Sequence, residues 1–123
     1  MTHAIDNDRE SLLRATSILD LLAAGWQPGP AELGNARRLE NWTVRPGPAA
    51  SPYQLVGTVY TQVPFVLTEP VLAIDPQVGW ARIWDEWLFL GTGFTDAPTV
   101  DPADVQRVGA AWLIRQLIGL SVH

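Results

Sequence analysis

The run Val71–Gly91, VLAIDPQVGWARIWDEWLFLG, constrains the fold more than any other part of this 123-residue chain. It holds three of the six tryptophans (Trp80, Trp84, Trp87), the clearest turn signal, Asp75-Pro76-Gln77-Val78-Gly79, and the adjacent acids Asp85-Glu86. Its apolar residues fit two periods. Trp80, Ile83, Trp84, Trp87 and Leu88 recur at helical spacing, with Asp75-Pro76 to start such a helix and Gly91 to end it. As a strand, the same residues put Trp80, Trp84 and Leu88 on one face with Arg82 and Glu86. Ala81, Ile83, Trp87 and Phe89 then share the other face with Asp85. A strand apolar on both faces can sit centrally in a small sheet. The residues alone leave both readings open.

The flanks are less ambiguous. Over residues 8–24, Leu12, Ala15, Leu19, Leu22 and Ala23 recur at spacings of three and four, which predicts an amphipathic helix. Asp6, Asn7 or Asp8 can cap its start, and Gly25 is suited to close its end before Pro28. Pro30 opens a short second helix, and Leu33, Ala36 and Leu39 keep helical spacing towards Trp42, with Gly34 and Asn35 weakening the middle. At the far end Asp101 and Pro102 start a third helix, its apolar face built from Val105, Val108, Trp112, Leu113, Leu117 and Leu120.

Between the helices the pattern turns to β. Residues 45–52, RPGPAASP, form a turn-rich connector too short to be a domain linker. Tyr53–Val63 alternates and is rich in β-branched and aromatic residues, with Gly57 marking a bulge or a close backbone approach. Phe65–Asp75 follows. Pro70 cannot donate to a ladder, so this strand is expected at an edge, bulged or broken there.

The residues Leu39-x-x-Trp42, Leu55-Val56-Gly57-Thr58-Val59, Ala73-Ile74-Asp75-x-x-x-Gly79-Trp80-Ala81-Arg82 and Leu90-Gly91 together resemble the pattern of a family of short uncharacterised bacterial proteins. The resemblance spans roughly residues 10–91, its specific part being Ile74–Arg82. It implies a helical start, a β-meander and a hairpin at Asp75–Gly79, which favours strand for 79–90. It implies no activity. After Arg82 such proteins continue with small, hydroxylated and basic residues, where this chain has Ile83-Trp84-Asp85-Glu86-Trp87.

The expected architecture is one α+β domain over residues 1–123. It has an N-terminal helix, a short second helix, a three-stranded antiparallel meander and a C-terminal helix. Six tryptophans support a core without staples, since each buries about 150–250 Å², roughly 4–6 kcal/mol gross. There is no cysteine, so disulfides, thiolate metal sites and cysteine nucleophiles are excluded. The first ten residues are polar and acidic, and no apolar run reaches the ~20 residues of a membrane span. A soluble, cytoplasmic protein that contacts no membrane is expected.

Charge narrows the function. The net charge is −5, and residues 53–104 hold seven acids against Arg82 alone. All eight cations are arginines. Direct nucleic-acid binding, which needs phosphate-neutralising cations, is disfavoured, whereas a basic partner surface is compatible. The adjacent Arg37-Arg38 reads as a solvated face before an anion site. Without lysine there is no Walker-type phosphate loop, and Gly91-Thr92-Gly93 lacks the third glycine of a dinucleotide fingerprint, Asp96 standing there. His3 and His123, the only histidines, sit at the two ends, which argues against a triad, a metal site or a proton relay. Asp85 and Glu86 diverge on either secondary structure, so they form no catalytic dyad by themselves.

What remains is a non-enzymatic interaction protein without catalytic residues, metal or cofactor. Arg82, Trp84, Asp85, Glu86, Glu69 and Asp96 are its candidate surface, facing a basic protein partner or a second copy of the chain. Small acidic inhibitors or adaptors of phages and mobile elements are one concrete form. The competing class is a small-ligand or carbohydrate-binding domain, or a weak carboxylate-dependent enzyme.

Overall fold

A computed structural model describes residues 2–48, 51–93 and 100–122, with side chains for 9–48, 51–93 and 100–119. In order, the elements are α1 (Thr2–Ala23), α2 (Pro30–Leu33), β1 (Arg37–Arg45), β2 (Gln54–Val59), β3 (Phe65–Asp75), β4 (Trp80–Ile83), β5 (Trp87–Leu90) and α3 (Pro102–Val122). The α+β class holds. The three-stranded antiparallel meander does not: the strands form a closed barrel in the order β1-β2-β3-β4-β5.

The closure follows from strand number. In a meander successive strands alternate in direction, so the first and fifth run the same way. β1 and β5 accordingly pair in parallel, Arg37 opposite Leu88 and Leu39 opposite Leu90, while the other four pairings are antiparallel.

Two stretches of the chain, residues 37–45 and 79–90, depart from the sequence-based expectation for physical reasons. The short second helix is the single turn Pro30–Leu33. The helical spacing of Ala36 and Leu39 gives no sign of a strand, yet residues 37–45 form β1. A register shift between Glu40 and Thr43, with Asn41 at φ 51°, interrupts the alternation. Leu39 and Val44 therefore both join the barrel core although they are five positions apart. Such a bulge hides the period of two that marks a strand. The 79–90 run is strand rather than helix, but broken at Trp84–Glu86 into β4 and β5. Ala81, Ile83, Leu88 and Leu90 face the barrel interior, whereas Trp80 and Trp87 lie on its outer wall beneath the helices. Both faces of the run are apolar because each meets a different core.

Pro70 also finds a different solution. β3 is not an edge strand, since it pairs with β2 over Phe65–Pro70 and with β4 over Val71–Asp75. Proline occupies the handover between partners, where its missing N–H costs no ladder bond. Gly57 keeps register with Leu67 of β3 but sits opposite the β1 bulge, between Val56 and Thr58, and is also a close approach: a Cβ there would come within 2.5 Å of the Leu39 side chain.

α1 begins at Thr2, six residues before the expected start, so Asp6, Asn7 and Asp8 lie within it rather than capping it. Nothing in 2–7 is a proline or glycine that would stop the helix earlier. Its end is as expected. Gly25 has φ +100°, and the Trp26 N–H reaches the Leu21 carbonyl at 2.9 Å while the Gly25 N–H reaches Leu22 at 3.1 Å. These two bonds make a Schellman closure. The same feature turns Trp26 back onto Trp87, ring centroids 6.0 Å apart. α3 starts at Pro102, with Asp101 Oδ1 accepting the Ala103 N–H at 3.0 Å. It crosses β3 so closely that a Cβ on Gly109 would lie 2.8 Å from the Leu72 carbonyl oxygen.

Candidate functional site

The expected surface residues divide between two places. Arg82 is 4% exposed on the outer wall of β4, with its guanidinium 5.2 Å from the centroid of the Trp87 ring. Its Nε has no hydrogen-bond partner. Burial lowers its pKa, opposed chiefly by the charge of Asp85. It is a structural cation, not a presented one. Trp84 is half-buried and packs edge-on against Trp112 of α3, centroids 6.3 Å apart. Trp80 and Trp87 are buried against each other in a T-shaped pair. An acidic surface anchored on these tryptophans is therefore not what the fold presents.

The acids do converge, around a residue the sequence reading left as solvated. Arg37 starts β1, and its Nε donates to Glu86 Oε2 at 3.0 Å while Nη2 donates to Oε1. This fork-to-fork pairing fixes both groups in plane. The Glu86 hydrogen bonds raise the Arg37 pKa, partly offset by burial, and the charges of Asp85 and Glu69 raise it further. Glu69 comes from β3 and the other two acids from the β4–β5 turn. Asp96, the sixth expected residue, lies outside the described residues.

Arg37 also reaches a second group. Its guanidinium stands 5.7 Å from the centroid of the Phe65 ring, at the start of β3. The β2–β3 hairpin beside it exposes large apolar side chains in one short segment: Tyr60 at 61%, Val63 at 78%, Val66 at 67%, and Phe65. Sequence reading missed these. Their signal was present, because Thr61-Gln62-Val63-Pro64 closes a turn that has no core to face, yet carries a valine.

The remaining candidate motifs have structural occupations. Arg38 pairs with Glu40, so both arginines of the adjacent pair are neutralised locally. The glycines of Gly91-Thr92-Gly93 make room for β1: a Cβ at Gly91 would strike the Glu40 carboxylate, and one at Gly93 the Trp42 ring. Trp42 Nε1 donates to the Gly91 carbonyl at 2.9 Å, and the Thr92 N–H donates to Glu40 at 2.8 Å. A phosphate has no place in that arrangement.

Among the described residues no group of three or more His, Asp or Glu side chains is arranged to hold a metal ion. No described helix is long and apolar enough to cross a membrane. A cleft of about 530 Å³ opens between the end of α1, the β3–β4 turn and the start of α3, lined by Asp75, Gln77 and Trp80 among others. Comparison of the chain with protein-family models, with curated proteins and with solved structures finds no match.

Proposed function

We propose that this chain is a non-enzymatic protein-interaction module. It engages a partner that is apolar at its centre and basic at its margin, at the barrel end where the β2–β3 hairpin meets the β4–β5 turn. The observation that carries this reading is the exposed Tyr60, Val63, Phe65 and Val66 beside Glu69, Asp85 and Glu86. An apolar centre with a charged rim is the usual anatomy of a protein interface. Scattered single apolar residues need no explanation, but four within seven positions of one hairpin do.

In this reading the aromatic anchors are Tyr60 and Phe65 rather than Trp84. Arg37 has a positioning role, holding the hairpin through Phe65 and the turn through Glu86. Asp85 and Glu69 steer a cationic surface and repel phosphate. A small acidic inhibitor or adaptor of the kind phages and mobile elements encode is one form such a module takes. Self-association through the same hairpin is the other.

The test compares proteins retained by the immobilised chain with those retained by two variants, Val63→Asp/Val66→Asp and Glu69→Gln/Asp85→Asn. The first should weaken retention about 10–100-fold through loss of central contacts. The second should weaken it less and reduce its salt dependence. Retention of the same proteins by wild type and both variants would overturn the proposal. Sedimentation of the chain alone separates a foreign partner from a second copy.

A further inference from the structure

The cleft between α1, the β3–β4 turn and α3 shares no residue with the interaction surface, and its chemistry points elsewhere. Its volume, about 530 Å³, lies in the range of small-molecule sites. One wall is apolar, from Leu22 and Trp80; the other presents the carboxylate of Asp75 and the side chains of Gln27, Gln77 and Gln106. Among the described residues no arginine or histidine lines it.

Two groups lining this cleft are incompletely matched: the Asp75 carboxylate has no counter-ion among the described residues, and the Trp80 indole N–H has no acceptor. Asp75 Oδ1 accepts the N–H groups of Gln77 and Val78, each at 3.1 Å, so the turn fixes the carboxylate in orientation. Gly79, at φ +104°, makes that turn possible. No described arginine forms an ion pair with Asp75. Trp80 is 3% exposed, and its indole N–H is buried with no acceptor among the described groups. A buried donor left unpaired is a standing cost to the fold, removed by whatever brings it an acceptor.

The charges decide the class of ligand. An anion would meet Asp75 with no cation opposite. The start of α3, which could have offered N–H groups to it, is already capped by Asp101 through the Ala103 N–H. A sugar stacked on an indole is equally unsuited, because Trp80 is a wall and has almost no exposed face. We infer that this cleft binds a small organic cation, a primary ammonium or guanidinium on a short chain that also carries a carbonyl or hydroxyl oxygen. The cationic end pairs with Asp75, the three carboxamides take its remaining hydrogen bonds, and the oxygen becomes the acceptor for Trp80 Nε1 after a small side-chain adjustment. The fixed carboxylate spares the ligand part of the ordering cost of binding.

The experiment titrates the full chain with argininamide, agmatine, glucose and citrate. It follows heat and the ¹⁵N-detected indole resonance of Trp80, assigned from the Trp80→Phe spectrum. Argininamide should bind saturably with a Kd of about 1 mM or below and shift the Trp80 indole. Agmatine, which has the cation without the oxygen, should bind more weakly and leave the indole resonance in place. Asp75→Asn keeps an oxygen for the turn and should lower argininamide affinity about tenfold or more. Gln106→Arg, which places a cation in the cleft from the helix side, should abolish binding without touching the turn. Absence of saturable argininamide binding overturns the inference. So does equal binding of citrate or glucose, or undiminished affinity in both variants.

Discussion

Arg82 is the clearest single-residue test of how this core is built. A buried guanidinium with an unpartnered Nε is a charge held by a ring face and distant carboxylates. Buried charges of this kind contribute little net stability, while removing volume from a packed layer costs more. Arg82→Met should therefore leave stability unchanged or raise it by about 1 kcal/mol. Arg82→Ala should lower it by about 2–3 kcal/mol. Urea denaturation of the two variants decides; a Met variant as unstable as the Ala variant would mean that the charge itself matters. A second residue-level test concerns pH. Tyr53 donates to Asp104, and that bond, followed by the one from Arg107, lowers the Asp104 pKa. A carboxyl depressed in the folded state contributes fully above about pH 4 and loses its contribution as the pH falls through its folded value. Tyr53→Phe removes the largest cause, so the decline of melting temperature below pH 4 should become shallower. An unchanged acid limb would show that this bond does not couple to folding. Sequence alone offered no route to either residue's partners, because Arg82 meets Trp87 across a strand pair and Tyr53 meets Asp104 across the fold.

Among the elements, those governed by local rules were legible and those governed by partners were not. The C-terminal end of α1 and the start of α3 followed from Gly25, Asp101 and Pro102, whose effects act within a few residues. β2 was visible because its alternation is unbroken from Leu55 to Val59. β1 was hidden by the bulge at Asn41, and the division of 79–90 by the fact that Trp80 and Ile83 serve different cores. Of the candidate surface residues, Glu69, Asp85 and Glu86 all act on Arg37, which lies about thirty to fifty positions away along the chain. The glycines give the elements a direct test. At Gly109 the obstacle to a Cβ is the backbone of Leu72, which cannot rotate aside, whereas at Gly57 it is the side chain of Leu39. Gly109→Ala should cost about 1–3 kcal/mol by lifting α3 from β3. Gly57→Ala combined with Leu39→Val should recover part of the loss seen in Gly57→Ala alone. Additive losses in that pair would rule out the contact as the cause.

For the molecule as a unit, the odd strand count matters most. The four antiparallel pairings join neighbours in the chain, but the parallel seam joins Arg37–Leu39 to Leu88–Leu90. Its hydrogen bonds include Gly91 N–H to the Leu39 carbonyl at 2.9 Å and Asn41 N–H to the Thr92 carbonyl at 2.7 Å. Pairings between distant segments carry the largest loop-closure cost and form late in folding. The barrel is thus a sheet that must roll up before it can lock, and the seam is where it unlocks. Native-state hydrogen exchange should show the Asn41 and Gly91 amides opening together, at lower free energy than the β2–β3 ladder. Each opening leaves two free strand edges on one molecule, the arrangement from which strand exchange between copies begins.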